Sequence, residues 1–125
     1  MSEAKPGTIG WTDLTVDNAE QVRDFYAQVV GWKADPVDMG GYSDFTMMAE
    51  DGQAVGGVCH ARGTNEGLPP QWIMYVNVKD LDASLDRCTS LGGKVVVATK
   101  SMGGHGRYCL IEDPAGAVLA LFEPA

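Results

Sequence analysis

The stretch TIGWTDLTVDNAEQVRDFYAQVVGW, residues 8–32, holds two periodicities separated by a short polar break. From Thr8 to Val16 the residues are rich in β-branched side chains and alternate, with Ile9, Trp11 and Asp13 on one face and Gly10, Thr12, Leu14 and Val16 on the other; that predicts a strand. Asp17 or Asn18 can then cap a helix whose apolar residues Ala19, Val22, Phe25, Tyr26 and Val29 fall at helical spacing, and Gly31 stops it. A strand feeding directly into a helix is the start of a β-α unit, and the rest of the chain can be read outward from it.

Three further strands follow, in GWKADPV (31–37), GYSDFTMMA (41–49) and, after the Asp51-Gly52 hairpin turn, QAVGGVCHA (53–61). RGTNEGLPP (62–70) is polar and rich in glycine and proline, so it reads as a linker. The pattern then begins again. QWIMYVNV (71–78) is a strand, Asp80 caps a helix carrying Leu81, Leu85, Cys88 and Leu91, and Gly92-Gly93 ends it. KVVVATK (94–100), RYCLIE (107–112) and AVLALFE (117–123) are strands; GGHG (103–106) is a loop, and Asp113-Pro114-Ala115-Gly116 is a type I turn.

The repetition has a measurable offset. Val16 and Val78, each before a helix cap, are 78 − 16 = 62 residues apart, and the helix stops Gly31 and Gly93 are separated by the same 62. The turn glycines Gly52 and Gly116 differ by 64, a drift that one loop absorbs. The chain is therefore expected to be α+β, a single domain over 1–125 made of two tandem β-α-β-β-β modules, about 6–61 and 71–123, joined by the linker 62–70. Two such sheets side by side form a curved eight-stranded mixed sheet with helices on the convex face, and a ligand would sit on the concave one.

Composition narrows the partners. With 17 acidic and 9 basic side chains the net charge is −8, which repels nucleic acid and anionic membranes and attracts cations. No run approaches the roughly 18 apolar residues of a membrane span, and the first ten residues lack a signal peptide, so a cytoplasmic location is expected. Cys59, Cys88 and Cys109, odd in number and without CxxC spacing, read as reduced core thiols.

WTDLTVDNAEQVRDFYAQVVGW (11–32), QWIMYVNVKDLDASLDRCTSLGGKVV (71–96) and GRYCLIEDPAGAVLAL (106–121) together resemble the vicinal oxygen chelate, or glyoxalase/bleomycin resistance/dioxygenase, superfamily. The FY-x-x-V-x-G-W pattern at 25–32, the D-L-D…L-G-G segment at 80–93 and the D-P-x-G turn carry that resemblance. In metal-dependent members of the family, one side chain from the first and one from the last strand of each module converge on a divalent ion, usually as His, Glu or Gln. The resemblance places Trp11, Ile73, Gly56 (or Gly57) and Ala120 at those four positions, and none of them can coordinate a metal. No metal and no cofactor are expected, and glyoxalase-type isomerisation or ring cleavage would lack its Lewis acid.

The same resemblance implies a concave face carrying Trp11, Asp13, Ile73, Tyr75 and Asn77, with Ala54, Gly56, Val58 and His60 from the fourth strand and Val118, Ala120 and Phe122 from the last; Met47 and His105 are added as neighbours. The ligand-binding set is thus Trp11, Asp13, Met47, His60, Ile73, Tyr75, Asn77, His105 and Ala120. Such a wall suits a small aromatic or cationic molecule; the competing expectation is a face filled by its own side chains, Trp11 above all. Asp13 and Tyr75 are the candidates for acid–base catalysis, which would make the chain a cofactor-free lyase, isomerase or epimerase. A metal-dependent glyoxalase or dioxygenase ranks below both. Cys59, His60, His105 and Cys109 do not form a convincing zinc set, because adjacent Cys59 and His60 point to opposite faces of a strand. The resemblance further implies a homodimer, with a small-molecule ligand as partner and neither nucleic acid nor membrane.

Overall fold

In the computed structural model, which describes residues 5–125, the predicted strand and helix at the start of the chain are β1 (Ile9–Val16) and α1 (Ala19–Val29). Then come β2 (Lys33–Asp38), β3 (Ser43–Met48), β4 (Ala54–His60), β5 (Trp72–Asn77), α2 (Leu81–Ser90), β6 (Lys94–Ser101), β7 (Gly106–Glu112) and β8 (Val118–Pro124). The order β-α-β-β-β is thus traversed twice. Short 3₁₀ turns at Gly63–Asn65 and Gly103–His105 lie in segments expected to be irregular. The eight strands hydrogen-bond in the order β2-β3-β4-β1-β5-β8-β7-β6 and the sheet is mixed. Among the described residues no helix is long and apolar enough to cross a membrane.

The chain divides into two compact units, one of Thr12–Trp72 and one of the described residues up to Trp11 together with Ile73–Ala125. In the first unit β1 runs parallel to β4, with β3 and β2 antiparallel beyond it. Helix α1 covers one face: Leu14, Val16, Ala19, Phe45, Met47 and Val58 form a buried core, with Val22, Tyr26, Trp32 and Trp72 packed against it. Each large apolar side chain buried there contributes about 1.5–3 kcal/mol. Phe25 and Val29, expected on the buried stripe, are more than half exposed. The inward face is narrower than the apolar arc, because only Ala19, Val22 and Tyr26 at i, i+3 and i+7 share a line toward the sheet.

The caps differ between the helices. Asp80 accepts from the Ala83 backbone N–H at 3.1 Å, as its position predicts. Asn18 occupies the N-cap of α1 without capping it; its amide donates to Gln21 Oε1 at 3.0 Å instead. Beyond α1 and α2, Gly31 and Gly92 take φ of +84° and +94°, the left-handed conformation that ends a helix at glycine.

In the second unit β5 is parallel to β8, and β7 and β6 continue antiparallel. The chain just before β1 is held to β5 by Gly7 N–H on the Asn77 carbonyl (2.7 Å) and Asn77 N–H on the Thr8 carbonyl (2.8 Å). Leu81, Cys109 and Leu121 make the core under α2, supported by Val78, Leu85, Ile111 and Leu119. The Asp113 turn forms as predicted, with Gly116 N–H on the Asp113 carbonyl (2.9 Å) and the Asp113 carboxylate accepting from Ala115 N–H (2.8 Å).

Candidate functional site

Register decides which side chains share a face. In the first unit Leu14 pairs with Val58 and both lie under α1, so Asp13, paired with Gly57, points to the face turned away from the helix. Thr46, also paired with Gly57, joins it there, as does Cys59. Gly57 makes room for the carboxylate: a β-carbon at that position would collide with Oδ1 of Asp13. Asp13 and Asp44 flank the Cys59 thiol. Burial first, and then the charges of Asp13 and Asp44 with a hydrogen bond to Asp44, push that thiol far above its ordinary range.

Four placements correct the expectation. Gly56 and Val58 lie on the helix-covered face, and so does Met47, which is paired with Gly56 and fully buried in the core. His60 follows the same parity and turns toward α1. The physical cause is a bulge: Met48 pairs with Ala54 but Met47 pairs with Gly56, leaving Val55 as an extra residue, so the alternation counted from the start of β4 is one out by its middle.

Over Gly56 stands an aromatic cluster that sequence reasoning missed. Trp72 donates from Nε1 to the Tyr26 hydroxyl at 3.1 Å, and the rings of Tyr26, Trp32 and Trp72 lie 5.4–5.8 Å apart. Trp72 heads β5, and its neighbour Ile73 points the other way; the signal was available in the alternation of QWIMYV.

In the second unit Tyr75 pairs with Ala120 and Asn77 with Phe122, while Leu121 faces α2. Ile73, Tyr75, Asn77 and Ala120 therefore share the face turned away from the helix. Ile73 and Ala120 are buried, and Tyr75 packs against Tyr108 with ring centroids 5.9 Å apart. Asn77 is buried too, its amide donating to Thr8 Oγ1 at 3.1 Å beside Gly10. Trp11 ends this unit's share of β1 and is partly exposed. His105 sits exposed in the 3₁₀ turn before β7. Among the described residues no group of three or more His, Cys, Asp or Glu side chains is placed to hold a metal ion.

These observations define a glyoxalase-type fold, and the family model of the Glyoxalase/Bleomycin resistance protein/Dioxygenase superfamily matches residues 8–121; the chain belongs to that superfamily. It is 35% identical over 125 residues to "Putative glyoxylase CFP32" of Mycobacterium bovis, covering 98% of this chain and 48% of that protein. It is 30% identical over 135 residues to "Anthracycline biosynthesis protein DnrV" of Streptomyces peucetius, covering 98% and 49%. The chain thus spans about half the length of the curated relatives it matches. Among solved structures it shares its fold with methylmalonyl-CoA epimerase from Mycobacterium tuberculosis (TM-score 0.58, 20% identity, 100% of this chain and 93% of that one). The Mn(II)-bound glyoxalase from Novosphingobium aromaticivorans has the same fold (TM-score 0.58, 16% identity, 94% and 39%).

Proposed function

We propose that the chain is a small-molecule-binding member of this superfamily that takes an aromatic or cationic ligand and uses no resident metal ion. The observation that carries the reading is the pair of registers Asp13 with Gly57 and Tyr75 with Ala120. At the last-strand places where metal-dependent relatives carry a donor there is glycine and alanine, and the first-strand places are Trp11 and Ile73. That donor set does not fit a divalent ion. The face turned away from the helix carries the Asp13 carboxylate in one unit and the tilted ring pair of Tyr75 and Tyr108 in the other, groups that attract a cation and an aromatic ring respectively. The relative named for anthracycline biosynthesis is in keeping with a polycyclic aromatic ligand.

Titration of the purified protein with an anthracycline, followed by tryptophan fluorescence, tests this. Saturable binding that survives a chelator, with the compound recovered unchanged, supports the reading; weakening by Asp13→Asn for a cationic compound and by Tyr75→Leu for a neutral aromatic one assigns the two contributions. Binding that requires an added divalent ion would overturn it.

A second reading, a cofactor-free lyase, isomerase or epimerase, is favoured by the placing of Asp13 on the face turned away from the helix beside a thiol that is held protonated, which leaves the carboxylate as the base there. It expects turnover that Asp13→Asn abolishes while ligand binding survives. Both readings take the chain as a cytoplasmic homodimer, which light scattering tests for assembly.

A further inference from the structure

His60 is enclosed in a way that neither reading uses. Its side chain is only 9% exposed, and its Nδ1 lies 3.3 Å from Oδ1 of Asp44, itself 16% exposed on β3; its Nε2 lies 3.7 Å from Oε1 of Glu20 in the first turn of α1. The same Asp44 oxygen accepts the His60 backbone N–H at 2.8 Å, which fixes the carboxylate against the ring. The ring is flanked by Tyr42 and Phe45 at 5.3 and 6.3 Å between centroids, and each of those carries an arginine over its own face, Arg62 on Tyr42 and Arg23 on Phe45. From β1 the register partner is the apolar Val16.

A neutral imidazole has one N–H and can donate to one carboxylate; the imidazolium has two and can donate to both. We infer that His60 is a proton-operated clasp, which on protonation ties the first turn of α1, through Glu20, to β3, through Asp44. The carboxylates are the groups that face the nitrogens, whereas the two arginines meet the flanking rings. Between about pH 8 and pH 5.5 a histidine gains its proton while glutamate and aspartate remain ionised, so Glu20 contributes to stability in the acid half of that range and loses its contribution as pH rises. Exposure of Glu20 keeps the effect small and sensitive to salt.

The test is thermal unfolding of the wild type, Glu20→Gln, His60→Gln and the double variant at pH 5.5 and 8.0 in low salt. Glu20→Gln is expected to lower Tm by about 1–3 °C at pH 5.5 and not at pH 8.0, and to have no effect at either pH in the His60→Gln background. If His60→Gln does not fold, imidazole NMR of the wild type and Glu20→Gln decides: the titration midpoint of His60 falls in the variant while that of exposed His105 stays put. An equal loss of Tm at both pH values, or an unmoved His60 midpoint, overturns the inference.

Discussion

Thr12 stands where a side chain on Gly56 would have to go, with the Trp72 indole in contact beside it. A β-carbon at Gly56 would lie 3.5 Å from the Trp72 ring and 2.9 Å from the Thr12 carbonyl oxygen, and the backbone oxygen cannot step aside. Gly56→Ala should therefore destabilise the protein by about 1–3 kcal/mol, the usual cost of overpacking. Chemical denaturation measures it, and a variant as stable as the wild type would contradict the packing.

Trp72→Phe keeps most of the apolar contact and removes the Nε1 donor, leaving the Tyr26 hydroxyl without it. A loss of about 0.5–1.5 kcal/mol is expected, with Tyr26→Phe costing a similar amount and the double variant less than the sum. Additive costs in that cycle would show that the bond contributes nothing.

How much of this was readable in the sequence depends on the element. The β-α-β-β-β order, the Asp80 cap and the Asp113 turn were legible because local chemistry dictates them: proline, glycine and carboxylate positions leave few alternatives. The face of Asp13 was legible because β1 alternates without interruption. The facing of Met47, Gly56, Val58 and His60 was not, since one extra residue at Val55 reverses every later position, and a bulge between glycine-rich neighbours carries no signature of its own. The alternation of QWIMYV gives the facing of Trp72 opposite to Ile73, but not its partner Tyr26, 46 positions away, which periodicity does not report.

Cys59 and Cys109 should be quiet. Cys59 is held far above the ordinary thiol range by burial and by Asp13 and Asp44, and burial, with Cys88 adding, raises Cys109 from 9.0 to about 11. Iodoacetamide at pH 8 is expected to leave Cys59 and Cys109 unmodified in the folded protein and to label both after unfolding, read by peptide mass mapping. Because the folded state favours the protonated thiols, their contribution is complete below pH 9 and is lost as pH rises, for Cys109 through about pH 11. Rapid alkylation of Cys59 in the native protein would refute its placement.

Arg107 reaches Glu123 at 3.1 Å and Asp82 at 3.1 Å, and Glu123 also accepts the Leu81 backbone N–H at 2.8 Å, at the start of α2. Those hydrogen bonds, the Arg107 one first, hold the Glu123 carboxyl below its ordinary 4.5. Its stabilising contribution is present above pH 4.5 and disappears as pH falls through the depressed folded value. Glu123→Gln should lower Tm at pH 7 and flatten the acid limb of the stability curve; an unchanged acid limb would rule this out.

The registers that pair Asp13 with Gly57 and Tyr75 with Ala120 join a large side chain to a minimal one in each half of the chain. A methyl group gained at Gly57 would meet Oδ1 of Asp13, and the carboxylate would have to turn aside to admit it. Size at one of these positions is therefore set by size at the other, and the two strands share a single allotment of volume between Gly57 and Asp13.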